Sequence, residues 1–295
     1  MSDRTGIRVN TLIIGAGRSG TTTLYSYLKE HSDVCFSYIK EVPFFSLREH
    51  YRKGEKYYHS FFRKCSSAPV IATADTYLLM DHEAISHIHA YNPEMKIVVM
   101  LREPVARAYS SYNYSVNFGH HEAYTSFLDS MEVEKGIAAE PDIVKRNNVG
   151  HFYGSLYYEH LSKWIGVFPR EQLLLLKTSD LRENPEKFSG TLFSFLGIPA
   201  YKREIVCDNT AAVPKNKAVE KLFMDRENLT RKLIRKLTPR PVKNLIMRSG
   251  VVDKLHAANR IEQSAAPLSK EDVIMAMPYF REDLQLLKKE FNIEF

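Results

Sequence analysis

The 295 residues include three cysteines and one tryptophan, and no apolar run comes near the ~20 residues that span a bilayer. The first ten residues, MSDRTGIRVN, lack the apolar centre of a signal peptide. These absences lead to the expectation of a soluble, cytoplasmic protein. Cys35, Cys65 and Cys207 are odd in number and far apart, so reduced thiols are expected rather than a disulfide frame or a zinc site. Repeats, low-complexity tracts and Pro/Gly/Ser linkers are missing, which leaves nothing to divide the chain. With 44% hydrophobic residues it can bury one substantial core. The expectation is one domain over residues 1–295, its core at about 9–200 and residues 201–295 a helical, basic lid or closing segment.

Metal-ligand spacing is also absent. His82, His87 and His89 sit in an expected helix from about Asp81 to Ala90, at intervals that do not share a face. No acidic pair stands where it would hold magnesium, so no metal is expected. The net charge of +6 favours an anionic partner, which leaves nucleotide, acidic glycan, nucleic acid and membrane surface open.

What is present concentrates in Thr11 to Leu28, TLIIGAGRSGTTTLYSYL. A short apolar run ends in a glycine-rich turn and passes into an amphipathic helix, and that order builds an anion site. Gly15, Gly17 and Gly20 let the backbone curl, and the new helix presents N–H groups at the positive end of its dipole. Arg18, Ser19, Thr21, Thr22 and Thr23 add side-chain donors. The glycines fit G-x-G-x-x-G, with Glu41 about where a ribose-binding acid is expected. Gly15 to Thr22 also fits G-x-x-x-x-G-K-[ST], except that Thr21 replaces the lysine, which removes the main charge a triphosphate needs. A turn without a ligand is the structural alternative.

A second unit follows at Lys96 to Tyr114, KIVVMLREPVARAYSSYNY. Ile97 to Leu101 reads as a fully buried parallel strand, and Pro104 as the first residue of a helix. If the strands of these units are neighbours, Arg102 and Ser110 reach a second phosphate on the same nucleotide; a capping arginine is the alternative. Between the units, Val34 to Phe45 places Lys40 and Glu41 in an apolar, aromatic stretch where Pro43 disfavours a helix. They read either as an ordinary ion pair or as a general base with a cation beside it. Val70 to Ala74 is an expected strand with Asp75, Thr76 and Tyr77 at its carboxyl end, where α/β proteins keep their ligands.

The motif pair resembles the sulfotransferases that use 3′-phosphoadenosine 5′-phosphosulfate (PAPS). GAGRSGTTTLYSYL resembles their 5′-phosphosulfate loop, and LREPVARAYSSY their 3′-phosphate motif, an arginine and a serine eight residues on, here Arg102 and Ser110. KEVPFF is similar to the segment of the carbohydrate, heparan-type branch whose glutamate activates the acceptor, here Glu41. The stretch from Leu156 to Ile198 resembles the family's helix, strand, acidic loop and Phe-Leu-Gly ending, and LSKEDVIMAMPYFREDLQLLKKEFN a closing helical pair. The resemblance implies an α/β, P-loop-like three-layer fold with a central parallel sheet and helices on both faces.

It also implies roles. PAPS is the co-substrate, held by Gly17, Arg18, Ser19, Gly20, Thr21, Thr22, Thr23, Arg102 and Ser110, with Lys215 and Lys217 standing in for a basic loop of the Golgi members. Glu41, Lys40 and Arg18 are the catalytic residues, Arg18 standing where the heparan-type loop has lysine. His120 and His121 are the fallback for a histidine base. The acceptor is a hydroxylated glycan or glycolipid and no nucleic acid is involved. The basic amphipathic segment 226–248 is either a lid over the acceptor or a peripheral contact with an anionic membrane. A phosphate-loop kinase and a non-catalytic nucleotide- or glycan-binding module are the rival readings.

Overall fold

A computed structural model of the chain describes residues 7–65, 67–118, 126–201, 205, 212–216, 238, 259–262 and 266–295. The glycine-turn unit runs from strand β1 (Thr11–Gly15) into helix α1 (Thr21–Lys29) and on to β2 (Val34–Glu41). Short helices α2 (Arg48–Tyr51) and α3 (Glu55–His59) lead to β3 (Val70–Ala74) and α4 (His82–Tyr91), capped by the Asp81 carboxylate. The second unit is β4 (Lys96–Leu101) and α5, which starts at Pro104 as expected and ends at Phe118.

Next come α6 (Asp129–Val133), α7 (Ile143–Val149), α8 (Tyr157–Ile165), β5 (Leu173–Lys177), α9 (Asp180–Glu183) and α10 (Pro185–Leu196). A small antiparallel pair, β6 (Ala212–Pro214) and β7 (Arg260–Glu262), precedes the last helix, α11 (Lys270–Phe291).

The five main strands form a parallel sheet in the order β2-β3-β1-β4-β5. Alternation along each strand divides the core. Leu12, Ile14, Ile97, Val99 and Leu101 pack on one face with Ile85 and Ile88 of α4, Leu161 and Trp164 of α8 and Leu287 of α11. Ile13, Val98 and Met100 pack on the other with Leu24 and Leu28 of α1 and Phe188, Leu192 and Phe193 of α10. Both faces are covered, which is why the strands read as continuous apolar runs. The chain runs from β1 to the edge strand β2, returns to β3 beside β1, and then crosses to β4 on the other side. That reversal opens a crevice at the carboxyl ends of β1 and β4, the usual ligand position in such sheets.

Two expectations are corrected. Cys35 and Cys65 form a disulfide, with their Cα atoms 5.4 Å apart. Cysteine count and spacing carry no information about that approach, which arises because β2 lies against the short helical turn Ser60–Phe62 that leads to Cys65. The bond closes a loop of 30 residues, so replacing both cysteines by serine is expected to cost about 2–4 kcal/mol of stability. Urea unfolding checks this, and a midpoint that reductant does not move would contradict it.

The second correction concerns the chain's end, where one 22-residue helix replaces the expected pair. Pro278 lies inside α11, where it removes a backbone hydrogen bond. Ala276, Phe280, Leu287 and Phe291 are nonetheless all buried, and their packing outweighs that loss.

Candidate active site

Gly20 caps α1 with φ 89°, a left-handed conformation that glycine adopts without steric cost. The first ladder bond of the helix runs from the Leu24 N–H to the Gly20 carbonyl, so the N–H groups of Thr21, Thr22 and Thr23 precede the ladder. No acidic residue occupies that first turn. The turn's carbonyls are drawn into the protein. The Thr178 hydroxyl donates to the Ser19 carbonyl at 2.7 Å, and Arg107 Nε donates to the Gly17 carbonyl at 2.9 Å. The Ala16 N–H, in turn, donates to the Met100 carbonyl at 2.8 Å and ties the turn to β4.

Arg18 is a non-glycine residue with φ 71°. Its Nε donates to Ser110 Oγ at 3.4 Å, and its guanidinium lies 4.8 Å over the Tyr114 ring. Arg102 leaves β4 and its Nη1 donates to the Arg18 carbonyl at 3.4 Å. The Tyr157 hydroxyl donates to the Arg102 carbonyl at 2.8 Å and fixes that backbone. Burial, and after it the nearby charge of Arg182, pulls the Arg102 guanidinium below its ordinary pKa. Several guanidinium groups therefore converge on one crevice, an arrangement suited to an anion.

At the next strand end, Lys40 Nζ donates to Thr22 Oγ1 at 2.7 Å and lies 3.6 Å from the Glu41 carboxylate. Their side chains are 35% and 39% exposed, so both are open to a ligand. Ala74 of β3 is the register partner of Glu41, and Asp75 follows it. Asp75 is buried; it accepts from the Ser46 hydroxyl at 2.6 Å and from the Tyr77 N–H at 3.2 Å. Burial, with a smaller contribution from the charge of Glu41, pushes its pKa from 3.8 up to about 8.

Folded Asp75 thus holds its proton where the unfolded chain has released it. Its contribution to stability falls as pH rises across that window. Asp75→Asn has no such proton to lose. The variant is expected to gain in melting temperature relative to wild type between about pH 5 and about pH 9. A difference that stays constant with pH would contradict this.

The crevice therefore gathers Gly17, Arg18, Ser19, Gly20, Thr21, Thr22, Thr23, Lys40, Glu41, Arg102 and Ser110. Lys215 is exposed just past β6, a strand beside α5, and its N–H donates to the Asn259 carbonyl. Lys217, His120, His121 and the segment 226–248, apart from Thr238, lie outside the described residues. His82 pairs with His160 across 3.1 Å, His87 stacks on Tyr51 and His89 meets Phe168. Among the described residues no helix is long and apolar enough to cross a membrane.

Thr178 and Arg107 escaped the sequence reading. Thr178 follows a strand of unremarkable pattern. Arg107 stands five residues beyond Arg102 inside the second motif, where an arginine on a helix carries no sign of burial.

The sulfotransferase domain matches residues 9–245. Among curated proteins, the bifunctional heparan sulfate N-deacetylase/N-sulfotransferase 1 of Xenopus laevis is 30% identical over 198 residues, covering 63% of this chain and 22% of that protein. The human bifunctional heparan sulfate N-deacetylase/N-sulfotransferase 2 is 29% identical over 205 residues, with 64% and 22% covered. The match spans about a fifth of the length of these relatives. A solved structure of a sulfotransferase from Alicyclobacillus acidocaldarius superposes with a TM-score of 0.65 at 18% identity over 98% of both chains, and so shares the fold. With the domain match extending over most of its length, the chain belongs to the sulfotransferase family.

Proposed function

We propose that the chain transfers a sulfuryl group from PAPS to a hydroxyl of a carbohydrate or glycolipid acceptor. One observation carries this reading: Arg18 of the first motif contacts both Ser110 and Arg102 of the second. A single nucleotide with phosphates at its 5′ and 3′ ends satisfies both motifs. The donor set fits such a ligand, because the N–H groups that start α1 and the guanidinium groups beside them are hydrogen-bond donors to anionic oxygen.

In the proposed reaction the acceptor oxygen attacks sulfur in line with the bridging oxygen. The S–O bridge bond breaks, its electron pair leaves on the nucleotide phosphate, and the acceptor proton passes to the Glu41 carboxylate. Charge gathers on the leaving oxygen in a loose transition state. Arg18, Lys40 and the loop N–H groups are the donors available to it, each contributing about 2–4 kcal/mol by analogy with oxyanion donors.

Thr21 in the lysine position weighs against the kinase reading, and the Lys40–Glu41 pair weighs against a binding module. A nitrogen acceptor is a second reading, favoured by the N-sulfotransferase names of the relatives. Transfer of radiolabelled sulfate from PAPS is the test, with oligosaccharides, amino sugars, glycolipids and small phenols as acceptors. Label in a hydroxylated glycan is the expected result. Label confined to amino sugars supports the second reading, and label in no acceptor overturns both.

A further inference from the structure

Arg107 is a cation that the reaction above does not use. It projects from α5 into the interior and is 2% exposed, with burial drawing its guanidinium below the ordinary pKa. A buried guanidinium is costly unless its donors are paired, and an apolar side chain would fill the same space more cheaply. The structure spends several buried polar groups on it.

Arg107 Nη1 donates to the His151 carbonyl at 2.9 Å and to Ser155 Oγ at 3.4 Å, and the Ser155 hydroxyl donates to the same carbonyl at 3.0 Å. The carboxylate of Glu134 grips the same segment from its N–H side. It accepts from His151 at 2.7 Å, from Phe152 at 2.9 and 3.0 Å, and from Tyr153 at 2.9 Å. Gly154 leaves room for the guanidinium, since a Cβ there would lie 2.7 Å from Arg107 Nη1. These contacts clamp residues 151–155 around one side chain and leave Arg107 Nε for a different element, the Gly17 carbonyl.

We propose that Arg107 is a positioning residue for the nucleotide site, a brace that orients the Gly17–Arg18 peptide and thereby aims the turn's N–H groups at the 5′-phosphate. The inference rests on reading that turn as the 5′-phosphosulfate loop. In a planar trans peptide the C=O and the following N–H point in opposite directions. Holding the Gly17 carbonyl inward on Arg107 turns the Arg18 N–H outward. Thr178 does the same one peptide pair later, since its bond to the Ser19 carbonyl turns the Gly20 N–H outward. An anion loop needs its N–H groups fixed before the ligand arrives, because ordering them on binding would subtract from affinity. Gly17 and Gly20 cannot fix themselves, and Arg107 and Thr178 supply the anchors.

Calorimetry with three nucleotides tests the assignment: adenosine 3′,5′-bisphosphate (PAP), 5′-AMP and 3′-AMP. Arg107→Gln is expected to weaken PAP and 5′-AMP at least about tenfold, the effect of one charged hydrogen bond, and to leave 3′-AMP within about twofold. Arg107→Lys keeps the charge that Glu134 faces but cannot serve both anchor points, so it gives the same selective loss and covers the case in which the glutamine variant does not fold. Gly154→Ala crowds the guanidinium without removing it and shifts the same two ligands. Equal weakening of all three nucleotides, or no weakening in folded variants, overturns the brace. A wild-type protein that binds none of them overturns the loop reading instead.

Discussion

Glu41→Gln is expected to lower turnover by at least ~100-fold while leaving PAP affinity nearly unchanged. Glutamine keeps the size and one acceptor oxygen of the side chain but cannot take a proton. Glu41 ends β2 at the sheet edge, 39% exposed and beside Lys40, whose amine reaches the first turn of α1. Under the proposed reaction the carboxylate is the group that meets the acceptor, and Lys40 ties it to the turn that begins α1. Loss of a half-exposed ion pair costs little stability, about 0–1 kcal/mol, so the variant should melt close to wild type. Reduced turnover with intact binding and melting assigns the loss to proton transfer. Normal turnover would remove Glu41 from the mechanism.

Arg102→Ala is expected to weaken PAP by about 1.5–3 kcal/mol, the range for a charged hydrogen bond, and to leave 5′-AMP almost untouched. The side chain lies between β4 and the first loop, and its contact with the Arg18 carbonyl fixes its direction. Beside it, Ser110 accepts from Arg18. The motif's arginine and serine thus meet through the first motif's arginine. Calorimetry with PAP and 5′-AMP isolates the 3′-phosphate, and an equal loss for both nucleotides would assign Arg102 a general structural role.

Much of this is legible in the sequence. Ile97 to Leu101 reads as a buried parallel strand because both faces of the sheet are covered, and Pro104 starts a helix because its fixed φ suits that position. Adjacency of β1 and β4 was only a condition in the sequence, since strand order is not written in local pattern. The Cys35–Cys65 bond was hidden for the same reason. Arg107 was hidden differently: an arginine in a helix reads as a solvated charge, and its burial depends on Glu134, Gly154 and Ser155 arriving from a distant segment. Lys40 and Glu41 were legible as charges in an apolar stretch, but the bond from Lys40 to Thr22 required the packing of β2 beside α1.

The most direct measurement titrates the wild-type protein with PAP and with 5′-AMP under one set of conditions, because these ligands differ only in the 3′-phosphate. A crevice in which Arg18, Ser110 and Arg102 join two phosphate sites is expected to bind PAP at least about tenfold more tightly. Equal affinity for the two nucleotides would contradict the account.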